Sequence, residues 1–400
     1  MTLRRRVLTG GVLARHPRIF ASAAVAAAII YLSVFGTRYG LDLMVYRGGV
    51  LSWESGKDPY ALSFTRMKLP FTYPPFALIA LAPFGWTSFI PALWALWVVS
   101  LGATASGLLL VIRSTGVRLT ASNCLLTAGA VCISLLVVEP VRSDMDYGQI
   151  ELILMALVVI DFLGVGRGWR GILVGVVAAV KLTPLIFVIT FLLMRDFKSA
   201  VRAIAAFTAC TVATWIIFPS YSRKFWLTDV TQPGRTGSPT FAGNQCWYAV
   251  IYRMQFLGDA KEISWIALSL ATLAVGAYIA WRCASDNRPA QALLATALTG
   301  LLMSPISWTH HWVWVLLIPP IVFDKSGPEH ASRMKILLAG IILLTCVAPY
   351  WLFQGGGTGD AVQALLPLYT GITLTLWAVS ERVAWRQEQA PACPALAPTG

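Results

Sequence analysis

The chain has 400 residues, of which 57% are hydrophobic and only 12% are charged, and its mean hydropathy is +0.69. A soluble protein of this length carries roughly twice that share of charged residues, so the composition excludes the soluble globular class. The net charge of +13 alone would suit a nucleic-acid-binding protein. However, the Lys and Arg residues lie in short clusters between apolar runs, which is the topology signal of a membrane protein. We therefore expect the lipid bilayer, and no nucleic acid, as a partner.

Apolar runs of about 20 residues recur along the chain, and each is long enough to cross a bilayer core of roughly 30 Å. Backbone groups in lipid must be hydrogen-bonded within their own segment, so these runs are predicted to be helices. With the basic clusters on the cytoplasmic side, the sequence predicts an all-α polytopic protein with about 12 spans and both termini cytoplasmic. The approximate spans are 19–35, 88–112, 123–138, 150–164, two half-length spans within 171–194, 200–218, 263–281, 290–303, 312–323, 336–353 and 361–379.

The segment 171–194 decides the topology of the second half of the chain. If it were one span, every later basic cluster would face the outside. Lys181 and Pro184 lie near its middle. Proline interrupts a helix and pushes the preceding residue out of helical geometry, and a lysine at the bilayer centre is costly. We therefore predict two half-length helices that meet at Lys181, near the outer face.

The domain organisation follows from these spans. Residues 1–380 are expected to form one transmembrane domain, with a first extracytoplasmic loop at 36–75 and a long one at 219–262. Residues 381–400 are expected to be a disordered cytoplasmic tail. The three arginines at 4–6 and the apolar run after them resemble a cleaved signal peptide, but the run is longer than a typical h-region. An uncleaved first span in the cell membrane is the better prediction.

The unusual polar motifs all fall on the predicted extracytoplasmic side. A random scatter would divide them between the two sides, so we expect an active-site face there. The motifs are Asp42, Asp58, Tyr73-Pro74-Pro75, Tyr147-Gly148-Gln149, Lys181, Asn244-Gln245 and the segment 304–311 with Trp308, His310 and His311.

Two carboxylates and one lysine suggest the chemistry of this face. Asp58 or Asp42, just above the membrane, suits a general base that removes a proton from an acceptor hydroxyl. Each carboxylate also has a structural interpretation. Asp58 belongs to an Asp-Pro-Tyr sequence that is typical of turns, and Asp42 fits a solvated acid or an ion-pair partner. Lys181 at a broken helix suits an anion such as a lipid phosphate. The alternative is a lysine that extends to the interface.

The remaining polar residues on this face also have two interpretations each. His310 and His311 can hydrogen-bond or protonate a phosphate, or pack among interfacial tryptophans. No third ligand accompanies the pair, so we expect no metal site. Asn244 and Gln245 suit sugar hydroxyls or simply loop structure, and Arg253 suits an anionic headgroup or a solvated surface.

Two carboxylates lie inside a predicted span. Glu151 and Asp161 are functional candidates because an ionisable residue within the membrane is costly to retain. Asp161, near the cytoplasmic end of the span, also fits a side chain that extends to the interface.

The chain resembles glycosyltransferase family 87, a family of polyprenol-phosphate-sugar-dependent enzymes with the GT-C fold. The resemblance runs from about residue 42 to residue 311. It lies in an ordered set of short motifs: Asp42-Leu43-x-Val45-Tyr46, Gly56-x-Asp58-Pro59-Tyr60, Tyr73-Pro74-Pro75, Gly148-Gln149, Lys181-x-Thr183-Pro184, Asn244-Gln245 and Ser304-Pro305-x-Ser307-Trp308-x-His310-His311. Cys246 departs from the pattern, since relatives often carry a small hydroxyl residue there.

The resemblance implies an inverting mannosyltransferase that works without a cofactor, on the extracytoplasmic face, with Asp58 as catalytic base. Mannose would pass from polyprenyl-phosphate-mannose to a phosphatidylinositol tetramannoside-type glycolipid in an α-1,2 linkage. A β donor and an α product require a single displacement. In this interpretation the donor phosphate meets Lys181, His310, His311 and Arg253. The substrate-binding residues would be Asp42, Tyr73, Gln149, Asn244, Gln245 and Trp308.

Other functions remain open from the sequence. Relatives in the family transfer mannose to lipomannan or arabinofuranose to arabinan. A secondary transporter would also have broken helices and buried charges near mid-membrane, although the predicted cytoplasmic side offers few polar groups for a pathway. A non-catalytic lipid-binding protein is a third alternative.

Overall fold

The computed structural model of the protein describes residues 15–36, 40–322, 331–353 and 357–389. Within these ranges the chain is helical, with two isolated β-bridges, Ser63–Pro70 and Asn244–Trp308, and no strand. The predicted all-α class is confirmed. Arg4 to Arg6 lie outside the described residues.

The α-helices of the described residues are connected by turns and short 3₁₀ segments. In chain order they are α1 (Pro17–Val34), α2 (Leu41–Glu54), α3 (Phe76–Gly85), α4 (Phe89–Ser114), α5 (Ala121–Val137), α6 (Glu139–Tyr147), α7 (Glu151–Leu163), α8 (Ile172–Val180), α9 (Phe187–Leu193), α10 (Phe197–Ile217), α11 (Pro219–Leu227), α12 (Trp247–Arg253), α13 (Lys261–Ser285), α14 (Pro289–Met303), α15 (Ile318–Val322), α16 (Ala331–Val347), α17 (Thr358–Gln363) and α18 (Leu365–Gln389).

Five segments in the described ranges are long and apolar enough to cross a membrane. They are α1, α4, α10, α13 and α16 with the turn Pro349–Trp351 that follows it. A sixth candidate is the pair α5 and α6, which is bent by 84°. These helices support a multi-pass membrane protein, while the count of 12 spans and the side of the termini stay predictions. The predicted spans over α9 and α14 correspond to shorter apolar helices.

The break predicted at Lys181 is present. Helix α8 ends at Val180, and Lys181 is extended, with φ −147° and ψ 130°. Pro184 then lies in the 3₁₀ helix Thr183–Ile186, which leads into α9. The proline explains the interruption, because its ring removes an amide donor and clashes with the preceding turn.

Glycines let two helix pairs approach closely. A Cβ on Gly175 of α8 would lie 2.2 Å from the Ala203 carbonyl oxygen of α10, and one on Gly276 of α13 would lie 1.9 Å from Oγ1 of Thr299 in α14. Such contacts are typical of membrane helices, where close backbone packing replaces the hydrophobic driving force. The first of them fixes α8, the helix that ends at the break before Lys181, against α10.

Asp161 has a structural role at the start of α8. The residue is fully buried, and its carboxylate accepts hydrogen bonds from the amides of Gly171 at 2.5 Å and Val174 at 2.8 Å. These are free donors of a helix N-terminus, which a carboxylate satisfies well. The carboxylate therefore lies inside the protein. This differs from the interpretation in which the Asp161 side chain extends to the interface.

The last helix extends into the segment predicted to be a disordered tail. Helix α18 continues through Gln389, so the nine residues from Glu381 are helical. Glu381 is buried and accepts from the Arg288 guanidinium at 2.6 Å and 2.8 Å. This ion pair fastens α18 to the start of α14. Residues 390–400 lie outside the described residues.

Candidate active site

Asp42 enters the site from a helix that the sequence placed in a loop. Gly40 has φ +64° and donates its amide to the Asp146 carbonyl at 2.7 Å, which starts α2 against α6. Asp42 lies in the first turn of α2, where the helix dipole favours a negative charge. The residue is half-buried, and desolvation raises the pKa of its carboxyl to about 6.

A hydrogen-bonded chain of neutral groups holds Gln149 against Asp42. The Tyr46 hydroxyl donates to Oε1 of Gln149 at 2.6 Å, and the Tyr46 and Tyr73 hydroxyls are 2.8 Å apart. Because Oε1 accepts from tyrosine, the amide nitrogen of Gln149 is the group that faces Asp42 as a donor, and its proximity moderates the rise in the pKa of the Asp42 carboxyl. Gly148 makes this arrangement possible, since it has φ +68° and a Cβ there would lie 2.9 Å from Cβ of Leu43.

Lys181 joins the broken helix to α7 and to the 304–311 segment. Its ammonium forms an ion pair with Glu151 and lies 3.1 Å from Nε2 of His311. The same His311 nitrogen is 3.7 Å from the Glu151 carboxylate. Asp42 and Asp144 are close enough to attract Lys181 as well. The structure thus brings Asp42, Gln149, Lys181 and His311 together, as the sequence predicted.

His310 is a second imidazole beside this cluster. Its ring is buried and lies 4.7 Å from the ring of His311 and 5.8 Å from that of Tyr147, measured between centroids. Within the described residues neither ring nitrogen of His310 has a hydrogen-bond partner. A buried polar group without a partner is costly unless something else satisfies it. His310 is therefore well placed to contact a ligand.

Asp58 makes its contacts outside this cluster. Among the described residues its carboxylate contacts Lys224 at 3.1 Å and the Tyr60 amide at 2.8 Å, and neither belongs to the cluster. Its side chain is 38% exposed. The turn interpretation of Asp58 accounts for these contacts, and its role as catalytic base stays a prediction. The pair with Lys224 joins the first loop to α11, together with the Tyr221 hydroxyl, which donates to the Lys57 carbonyl.

The predicted sugar and phosphate ligands of the long loop serve the protein itself. Asn244 is fully buried, accepts from the Ser307 amide at 2.8 Å and donates to the Pro305 carbonyl at 3.1 Å. Gln245 is also fully buried and donates to the Ala242 carbonyl. The Arg253 guanidinium donates to three carbonyls, those of Thr240, Phe241 and Asn244.

Asn244 joins the loop to the 304–311 segment, whereas Gln245 and Arg253 bind carbonyls of the loop itself, and all three side chains are buried. Burial lowers the pKa of Arg253 to about 10. Trp308, predicted to bind substrate, packs against Phe241, with ring centroids 6.1 Å apart.

Glu139 is a residue of the site that the sequence analysis missed. It is buried and accepts from the Ser143 hydroxyl, from Tyr350 Oη at 2.8 Å, and from Thr309 Oγ1 and Trp351 Nε1 at 3.0 Å each. Through Thr309 it holds the residue next to His310. The feature of the sequence that could have indicated this residue is a carboxylate followed by proline at the end of an apolar run.

A small groove of about 40 Å³ lies beside the Lys181 cluster, between α7, α9 and α14. Apolar residues line most of it, and polar side chains lie at one end. The polar end comprises Glu151, Thr183, Ser307 and His311, and the apolar walls include Ile186, Phe187, Leu301 and Trp314. The polar end can meet an anionic group, whereas the groove as it stands has room for a few water molecules and not for a lipid chain.

The fold is that of a multi-helix membrane protein, and its candidate site is a cluster of carboxylates with a lysine and two histidines. The sequence model of glycosyltransferase family 87 matches residues 71–305. The chain therefore belongs to glycosyltransferase family 87 and is an enzyme. Family membership sets aside the transporter and the non-catalytic alternatives.

Relatives cover most of the chain. A polyprenol-phosphate-mannose-dependent α-(1-2)-phosphatidylinositol mannoside mannosyltransferase of Mycolicibacterium smegmatis is 31% identical over 85% of this chain and 79% of its own length. A mannosyltransferase of Mycobacterium tuberculosis, named for phosphatidylinositol pentamannoside, is 34% identical over 83% of this chain and 77% of its own.

A solved structure is also similar to this chain. The structure of ArnT from Cupriavidus metallidurans bound to undecaprenyl phosphate is 15% identical, with a TM-score of 0.38 over 96% of this chain and 82% of that one.

The hydrogen bonds that Glu139 accepts lead to a first prediction. Glu139→Gln should lower the free energy of unfolding by about 1–3 kcal/mol, because the amide nitrogen faces donors and leaves them unpaired. Thermal unfolding in detergent measures the loss, and Glu262→Gln, at an exposed position, is the control. An unfolding temperature equal to that of the control variant would contradict the assigned role.

Proposed function

We propose that the enzyme transfers mannose from polyprenyl-phosphate-mannose to a phosphatidylinositol mannoside on the extracytoplasmic face, forming an α-1,2 linkage with inversion. The observation that carries this proposal is the meeting of Asp42 and Lys181 beside Glu151 and His311, which line the polar end of the groove. A base for the acceptor and a cation for the departing phosphate are what such a transfer needs. The names of the relatives supply the donor, the linkage and the class of acceptor.

Asp42 is the base in this mechanism. A general base must reach the acceptor hydroxyl and must be ionised at the working pH. Asp42 is half-buried within the cluster, and the Gln149 amide orients its carboxylate. Burial raises its pKa to about 6, which strengthens it as a base while leaving it ionised at neutral pH. Asp58, which the family resemblance implied, is instead held by Lys224.

The displacement breaks one bond and forms one. The acceptor oxygen attacks the anomeric carbon as its proton passes to Asp42, and the bond from that carbon to the phosphate oxygen breaks. The electron pair leaves with the phosphate, so the products are the mannosylated glycolipid and polyprenyl phosphate. One displacement inverts the configuration, and the enzyme forms no covalent intermediate.

Lys181 and the two histidines stabilise the charge that develops on the phosphate. The Lys181 side chain is 13% exposed and its ammonium lies beside His311, so it acts in a poorly hydrated site where electrostatic stabilisation is strong. The free ring nitrogens of His310 add hydrogen-bonding capacity next to it. The polyprenyl chain enters between α9 and α14, where the groove must widen from its volume of about 40 Å³ to hold it.

The acceptor is a phosphatidylinositol tetramannoside-type glycolipid, which becomes a pentamannoside. A decisive assay incubates membranes that contain the enzyme with radiolabelled polyprenyl-phosphate-mannose. We expect label in a phosphatidylinositol mannoside one hexose larger than its acceptor, and cleavage by an α-1,2-mannosidase. Label in lipomannan, or transfer only from an arabinofuranosyl donor, would replace this acceptor or this sugar.

The choice of base is tested by two matched variants. Asp42→Asn should lower the rate of transfer by about 10²- to 10⁴-fold, since general-base catalysis contributes on that scale. Asp58→Asn removes the same charge from an exposed ion pair and should retain most of the activity. Protein abundance in the membrane is the control for both. The reverse pattern, with Asp58→Asn inactive and Asp42→Asn active, would return the role to Asp58.

The raised pKa of Asp42 gives a pH dependence. Below pH 6 the carboxyl is protonated and cannot accept the hydroxyl proton, so kcat/KM should rise with pH through about 6 and level off above about 7. At pH 5 it should be about a tenth of the plateau. Asp58→Asn should show the same profile. A kcat/KM that stays constant from pH 5 to pH 7 would contradict Asp42 as the base.

A further inference from the structure

The charges around the polar end of the groove are unbalanced. In the described part of the chain, one cation, Lys181, faces three carboxylates, those of Asp42, Asp144 and Glu151. Glu151 is the carboxylate that lines the groove itself, together with His311. Its side chain is 7% exposed, so water screens its charge weakly. Phosphate sites usually surround the anion with backbone amides or arginines, and this one places a carboxylate beside it.

The donor and the released lipid differ mainly in the charge of their phosphate group. Both carry the same polyprenyl chain, so apolar contacts with that chain bind them equally and cannot tell them apart. The donor phosphate is a diester with one negative charge. After transfer it is a monoester whose second pKa is about 6, so it carries close to two charges at neutral pH.

We propose that Glu151 makes the phosphate subsite selective for a phosphodiester monoanion over a phosphomonoester dianion, and so disfavours the spent carrier lipid. This inference rests on the proposed function. During the reaction a negative charge leaves Asp42 as it takes the proton and appears on the phosphate. The phosphate then lies against Glu151 with one charge more than Lys181 alone can balance. Glu151 is therefore a specificity-determining residue that promotes release.

The selectivity is measurable without any substitution. Undecaprenyl phosphate and undecaprenyl methyl phosphate have the same chain and differ by one charge at pH 7.5. Native mass spectrometry of the purified protein should show the methyl diester binding more tightly by about ten-fold, a modest value for one extra charge near a buried carboxylate. Equal binding, or tighter binding of the monoester, would overturn the proposal.

Variants locate the selectivity in Glu151. Glu151→Gln should bring the ratio of the two dissociation constants close to one, chiefly through tighter binding of undecaprenyl phosphate. Glu151→Asp retains the charge and should keep the ratio near that of the wild type. Glu54→Gln removes a carboxylate from an exposed position at the end of α2 and should leave the ratio unchanged. If the ratio of the two dissociation constants in Glu151→Gln equals that of the wild type, Glu151 is not the source of the selectivity.

The same variant separates this inference from the proposed function. In the transfer assay, added undecaprenyl phosphate should inhibit Glu151→Gln more strongly than the wild type, relative to the KM for the donor. If the wild type transfers mannose but inhibition is equal in both, only the role of Glu151 fails. If the wild type does not use polyprenyl-phosphate-mannose, the proposed function fails, and the binding ratio still decides on Glu151.

Discussion

The ion pair between Lys181 and Glu151 is the interaction on which the arrangement of the site depends. A lysine within an apolar protein is tolerated only with a partner, and this partner is supplied by α7. The break after α8 frees the backbone at Lys181, so its side chain can reach across to Glu151 and His311. Three separate parts of the chain are thereby drawn to one point at the end of the groove.

Five carboxylates of the described residues form two groups that differ in their partners. Asp161, Glu139 and Glu381 are each saturated by donors of the protein: helix amides, hydroxyl and indole groups, or an arginine. They fix one element against another. Asp42 and Glu151 instead lie beside Lys181 at the end of the groove. Position in the sequence does not distinguish the groups, because Glu151 and Asp161 lie on the same helix, ten residues apart.

The helical class and the break at Lys181 could be predicted because each depends on local chemistry: apolar length, and the effect of Pro184 on a helix. The gathering of Asp42, Gln149, Lys181 and His311 followed from placing them on one side. That Asp42 and not Asp58 lies near Lys181 did not follow, since both belong to one polar segment and the sequence does not show that α2 begins at Leu41. Nor does the sequence show that backbone carbonyls bind the side chains of Asn244, Gln245 and Arg253.

The 304–311 segment, whose last three residues begin the 3₁₀ helix Thr309–Leu317, shows how a short polar segment is made rigid. Asn244 binds its backbone at Ser307, and Glu139 binds the side chain of Thr309. Because these contacts fix the segment at residues just before the histidines, His310 and His311 need few bonds of their own. His310 keeps both ring nitrogens free among the described residues. A ligand then binds to groups that are already in position, so these groups reorganise little during the reaction. Fixed dipoles and charges lower a reaction barrier most when they need no reorganisation.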